Sequence, residues 1–252
     1  MNEDQNNNIV KQYLPTYRRN FEHDSRWLTR ETTHYIFHYF PDSVAEREIE
    51  MIEKRQEEAF AKIITFLKIL EPEKKITYYL YPDAKIKKEL MGDDWYAQAI
   101  YQDFVVHLLY TETDKPLGEH EDTHLLSLPW GLSIDLFQEG LAEYLVGHGW
   151  HGENHDDLVR DGLSRDIFPN IEELLEHKKW LELDDANALY NYALVASFTK
   201  FLIENYGRDK FEQIYRQTNR KKTKEENKII FFDTYRAPIE EIEKDWQKCL
   251  EN

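Results

Sequence analysis

Cysteine is nearly absent: Cys249 is the single one among 252 residues. That excludes an intramolecular disulfide framework and a four-cysteine zinc site. Long apolar runs are also missing, and none approaches the roughly 20 residues that a membrane-spanning helix needs. Positive charge is scarce. The 32 Lys and Arg stand against 49 Asp and Glu, leaving a net charge of −17. Such a chain repels phosphate backbones and anionic bilayers, so neither nucleic acid nor membrane is an expected partner. Met1-Asn2-Glu3-Asp4-Gln5 carries neither the positive nor the apolar region of a signal peptide. As written, the expected location is cytoplasmic, although a chain trimmed of an export signal would read the same. No low-complexity linker and no internal repeat divides the sequence.

What is present suits a globular fold. Hydrophobic residues make up 41% and aromatics 14%, a large supply of core-forming side chains. Residues 1–30 are polar and read as a surface-lying or mobile arm. Residues 31–252 read as one domain with two lobes, a sheet-plus-helix lobe over 31–130 and a helical lobe over 131–252. Thr33–Phe40 (THYIFHYF) and Ile76–Tyr81 (ITYYLY) read as strands, each closed by a Pro-Asp turn signal. Between them Ser43 precedes a long helical stripe from Ala45 to Leu67. A short helix is expected over Ala84–Leu90, and one or two further strands over Ala97–Tyr110. Helices are expected over 117–128, 134–147, 170–179, 187–205, 208–218 and 237–250, with Gly207 as a stop and Pro238 in a first turn. The class is therefore α+β, a small, mostly antiparallel N-terminal sheet with helices followed by a helical half.

The chemistry concentrates in residues 117–144. His120-Glu121-Asp122-Thr123-His124 is an H-E-x-x-H motif. Residues four apart share one helix face, so the two imidazoles can reach a single Zn²⁺. Glu121 lies about 100° further around the axis, where it can take a proton from water without binding the metal. Fifteen residues past His124 stands Glu139, in Gln138-Glu139-Gly140-Leu141-Ala142-Glu143-Tyr144. Ser127-Leu128-Pro129-Trp130-Gly131 can end the first helix, so that a second presents Glu139 as a third ligand. Two His and one Glu with an open fourth position make a catalytic rather than a structural zinc set. Glu143, one turn on, is the candidate carboxylate behind a metal-bound imidazole.

These motifs resemble those of the gluzincin, thermolysin-like zinc metallopeptidases, closest to the peptidase MA-like group with its W-x-x-E-G-x-A-x-Y second motif. Phe137 stands here where Trp or Leu is common, and Asp122 is charged where an apolar or small residue is usual. Looser similarity extends over Thr33–Asp42, Ile76–Asp83, Ala97–Tyr110, Tyr192–Gly207 and Tyr235–Leu250. The resemblance implies a zincin-like fold, Zn²⁺ as cofactor, His120, His124 and Glu139 as ligands, Glu121 as general base, and a peptide or protein as substrate. It also implies an oxyanion-stabilising side chain downstream, with Tyr192 the first candidate and Tyr190 the second. Either tyrosine is equally at home in a helical core. Ala97-Gln98-Ala99 is the candidate edge for an extended substrate, an ordinary loop being the competing reading.

The alternative function is a non-catalytic peptide-binding or regulatory protein that keeps the metal. A third reading is a metal-free structural protein with an accidental motif. His148, His151 and His155 match no ligand spacing and read as incidental loop residues. His34, His38 and His107 read as packed strand residues. The run Arg216, Arg220, Lys221, Lys222, Lys224 reads as a solvated loop. Eleven acidic residues against Lys115 and Arg160 over 111–160 would attract cations and basic peptides.

Overall fold

Alternation of apolar and polar side chains builds the inner strands. In the computed structural model, which describes residues 17–251, Tyr35, Phe37 and Tyr39 alternate with half-buried residues along one strand, as do Ile76, Tyr78 and Leu80 along the next. The chain divides into two compact units between Leu126 and Ser127. Among the described residues no helix is long and apolar enough to cross a membrane.

The first unit holds β1 (Leu28–Glu31), β2 (Tyr35–Tyr39), α1 (Val44–Leu67), β3 (Ile76–Tyr81), α2 (Ala84–Leu90), β4 (Ala97–Ile100), β5 (Val105–Leu109) and α3 (Glu119–Leu126). The strand order is β1-β2-β3-β5-β4. The sheet is mixed: β2–β3 and β3–β5 run parallel, while the two edge pairs, β1–β2 and β4–β5, are antiparallel. This corrects the mostly antiparallel expectation. The 24-residue α1 between β2 and β3 is a crossover, which returns the chain to the same end of the sheet and makes the next strand parallel. Ser43 caps α1 by accepting the Glu46 amide, and Asp83 caps α2 through the Ile86 amide.

One sheet face packs on α1, where the Tyr35 ring meets Phe60 edge-on at 6.1 Å. The other face is covered by residues before β1. Phe21 is buried there with Tyr81, Leu90, Met91 and Leu109, and Tyr17 and Trp27 pack against the cluster. The expected arm over 1–30 is corrected for its described part: residues 20–23 form a 3-10 turn, and 28–31 form a strand. Residues 1–16 lie outside the described residues.

The second unit is helical: α4 (Asp135–Val146), α5 (His155–Ser164), α6 (His177–Leu181), α7 (Ala188–Tyr206), α8 (Arg208–Gln217), α9 (Lys224–Tyr235) and α10 (Ile239–Leu250). Short 3-10 turns occupy 128–130, 171–175 and 185–187. The 170–179 helix is thus corrected to a 3-10 turn followed by the short α6. Helices α5 and α9 were not expected, and Pro238 caps α10 rather than entering its first turn.

Helix α7 is the hub. Ser197 on it donates to Asp156 of α5 at 2.6 Å and accepts from the Trp246 indole of α10 at 3.1 Å. Helix α4 approaches α7 at Gly140, where an added Cβ would lie 2.8 Å from the Val195 carbonyl oxygen and 2.2 Å from Thr199 Oγ1. Both helices end at a glycine of positive φ, Gly147 at 88° and Gly207 at 90°, which a residue without Cβ adopts most easily.

Candidate metal centre

Helix α3 is fastened to the first unit by a buried polar cluster. The Gly118 amide donates to Gln56 Oε1 at 2.7 Å, and Gln56 Nε2 donates to Asp122 Oδ2 at 2.9 Å. The Tyr35 hydroxyl donates to Asp122 Oδ2 and the Tyr78 hydroxyl to Oδ1, each at 2.6 Å. Gln56 and Asp122 are fully buried. Burial pushes the Asp122 carboxyl up to about 7, against the pull of the two tyrosine hydroxyls and with a further push from the Glu121 and Glu119 carboxylates. Three donors therefore meet the Asp122 carboxyl in the interior of the first unit.

Residue 122 is two positions from each motif histidine, about 200° around the helix. With Asp122 turned inward, His120 and His124 share the opposite face. Their Nε2 atoms are 3.3 Å apart and their rings stand at 87°. Two nitrogens each about 2.0–2.1 Å from a tetrahedral ion would be separated by about 3.3–3.4 Å. The spacing is compatible with two imidazoles on one zinc ion, and also with a hydrogen bond between the two rings. Glu121 is half-buried beside them, and the Tyr101 ring meets His124 edge-on at 6.3 Å.

Helix α4 carries Asp135, Glu139 and Glu143 at intervals of four, one above another on a single face. Three carboxylates so placed repel unless cations separate them. Asp135 Oδ2 meets His177 Nδ1 and its Oδ1 meets an Arg220 guanidinium nitrogen, both at 2.6 Å. Glu143 lies 3.4 Å from His155 Nε2. Between them Glu139 is half-buried. The ligand atoms of His120, His124 and Glu139 all lie within 4.8 Å of one another. Among the described residues this is the one group of three His, Cys, Asp or Glu side chains that meets that criterion. Its donors, two imidazoles and a carboxylate, are those zinc takes.

Two residues read as incidental prove to be structural. His155 opens α5 and is buried against Glu143, not part of a loop. Arg220 is an ion-pair partner of the buried Asp135 rather than a solvated loop residue. Neither was visible from local spacing, because each partner lies on a different element. His107 is packed as expected, its Nδ1 2.9 Å from the Tyr81 hydroxyl. Cys249 is exposed on α10.

The two tyrosine candidates separate. The Tyr190 hydroxyl donates to Asp161 at 2.7 Å, with the Arg165 guanidinium over its ring. Tyr192 lies in an aromatic group with Trp150 and Trp180, at ring distances of 5.8 and 5.5 Å. Ala97, Gln98 and Ala99 form β4, an edge strand paired only with β5 among the described residues. The Gln98 side chain is buried and occupied by Lys87 and Asp93. The Gln98 side chain is therefore not available for recognition, whereas Ala97 and Ala99 are half-buried. Compared with known proteins, the chain matches no family model and no curated protein.

Proposed function

We propose that this chain is a zinc-dependent metallopeptidase with a zincin-like fold. His120, His124 and Glu139 would hold the ion. The observation that carries the reading is the 3.3 Å separation of the two Nε2 atoms on α3, the span expected for two imidazoles on one tetrahedral zinc. The grouping of Glu139 with them and the presence of Glu121 one residue after His120 support it.

When bound, Zn²⁺ supplies Lewis acidity toward the scissile carbonyl and lowers the pKa of water to about 7. Glu121 takes the proton from the attacking water and delivers it to the departing amine. Tyr192, the first candidate from the sequence, is the donor assigned to the charge that develops on the carbonyl oxygen. The outer edge of β4 aligns an extended peptide by main-chain pairing.

The test measures metal content and cleavage of a broad peptide library, using protein purified without an affinity tag. Native protein is expected to hold one zinc per chain and to cleave. Glu121→Gln is expected to keep the zinc and lose cleavage at least 100-fold, in line with the usual contribution of a general base. Zinc without turnover would replace the enzyme with a peptide-binding protein, and absence of zinc would refute both.

A further inference from the structure

We infer that Asp122 is a positioning residue: together with Gln56, Tyr35 and Tyr78 it fixes the rotation and the start of α3, and so the spacing of the two imidazoles. The inference rests on the metal reading above, and it concerns a fully buried acid next to the residues of that reading.

An apolar side chain at 122 could bury α3 equally well, but apolar contacts are non-directional and tolerate rotation of the helix about its axis. A carboxylate with three donors does not. Its two oxygens receive from separate strands, Oδ2 from Tyr35 on β2 and Oδ1 from Tyr78 on β3. Gln56 on α1 then ties the same group to the helix start. Its amide nitrogen reaches both Asp122 Oδ2 and the Tyr78 hydroxyl, at 2.9 and 2.8 Å, while its oxygen accepts the Gly118 amide. Gly118, immediately before α3, and Asp122 within it are thereby fixed to three different elements. A helix held at two points one turn apart can neither rotate nor slide without breaking buried hydrogen bonds, which leaves unsatisfied groups at high cost. Residues 120 and 124 then face away from the cluster.

The α1 stripe carries the same signal from the other side. Ile49, Ile52, Ala59, Phe60 and Ile63 are buried apolar residues, and Gln56 is the buried polar exception among them. Every side-chain oxygen and nitrogen of Gln56 and Asp122 in this cluster has a partner, so the cluster is a complete network rather than a cost left in the core.

The experiment measures Zn²⁺ affinity by competition with a chelating indicator, at 10 °C, on protein shown to be folded by far-UV circular dichroism. Co²⁺ loaded alone serves as a second probe, read by its visible absorption. Relative to native protein, Asp122→Ala is expected to bind Zn²⁺ 10- to 100-fold more weakly, the range usual for groups that orient metal ligands, and to alter the Co²⁺ band. Asp122→Asn keeps an acceptor for a tyrosine hydroxyl and is expected to recover part of the affinity. Tyr78→Phe removes one hydroxyl at nearly constant volume and remains informative if Asp122→Ala does not fold; a several-fold loss is expected. A role in stability alone would lower the melting temperature of these variants while leaving Zn²⁺ affinity and the Co²⁺ spectrum of the folded protein unchanged, and that result overturns the inference. Native protein that binds no Zn²⁺ overturns the metal reading itself, and this inference with it. His120→Ala separates the two cases, because it abolishes binding only if the metal reading holds.

Discussion

Gly140→Ala sets two known effects of opposite sign against each other. Alanine is favoured over glycine inside a helix by about 1 kcal/mol. Here, however, the new methyl would meet Thr199 Oγ1 at 2.2 Å, the Val195 carbonyl oxygen at 2.8 Å and Thr199 Cβ at 3.2 Å. Thr199 is fully buried, so its side chain has little room to turn away. The Val195 oxygen belongs to the α7 backbone and cannot turn at all. Relief requires α4 and α7 to separate by roughly half an ångström, and overpacking of this kind costs about 1–3 kcal/mol, toward the upper end when backbone is involved. The net expectation is a loss of about 1–2 kcal/mol. For a chain of this size that lowers the melting temperature by about 2–8 °C.

Thermal unfolding followed by circular dichroism reads the result. A second substitution, Thr199→Ala, removes a buried hydroxyl that has no hydrogen-bond partner among the described residues and should cost little alone. Combined with Gly140→Ala it is expected to recover about 1 kcal/mol, which a double-mutant cycle isolates. The Val195 contact should leave the remainder unrecovered. Gly140→Ala melting at or above the native temperature would show that helix propensity outweighs the crowding between the two helices and would refute the reasoning.

Two further outcomes follow from the geometry. Tyr192→Phe is expected to lower kcat about 10²- to 10³-fold with little change in KM, as for loss of one oxyanion donor, whereas Tyr190→Phe should leave turnover intact; equal losses, or none for Tyr192, would remove Tyr192 from the mechanism. His107 is held neutral, because burial, reinforced by the nearby Lys87 and Arg19 charges, pushes its pKa well below the usual value. The unfolded chain takes up a proton near pH 6.5 while the folded chain does not. This group's contribution is therefore complete above that pH and declines by up to about 1.4 kcal/mol per pH unit below it. Chemical denaturation of native protein and His107→Phe should show the native slope exceeding that of the variant by an amount that approaches this limit near pH 5 and vanishes by pH 7.5, and parallel slopes below pH 6.5 would refute the assignment.

Local patterns were legible and long-range ones were not. The two motif histidines are four apart on one helix, so their convergence could be read directly. The strands Tyr35–Tyr39 and Ile76–Tyr81 alternate in burial and end at Pro-Asp, which marks them plainly. Strand β1 exposes all four of its residues and carries no alternation to detect. Helix α9 could have been found, since Thr223-Lys224-Glu225-Glu226 is a capping box and forms one. The parallel pairing of the sheet depends on where crossovers return the chain, which burial periodicity does not encode. The Asp122 cluster was out of reach for a different reason: its partners Tyr35, Gln56 and Tyr78 lie 87, 66 and 44 residues away. The departure at 122 was visible, but its compensation appears only once those residues are brought together.

The roof over the sheet's second face has a practical consequence. Phe21 lies 4.7 Å from the Tyr79 ring and 4.5 Å from that of His107, while Trp27 stacks edge-on against Tyr79 and Tyr81. A shortened version of the protein that began at the first strand would strip away this cover and bare a plate of aromatic rings to solvent, an adhesive surface that invites aggregation. Truncations meant to trim the polar leader should therefore stop ahead of Tyr17, however dispensable the composition of the first thirty residues makes them look.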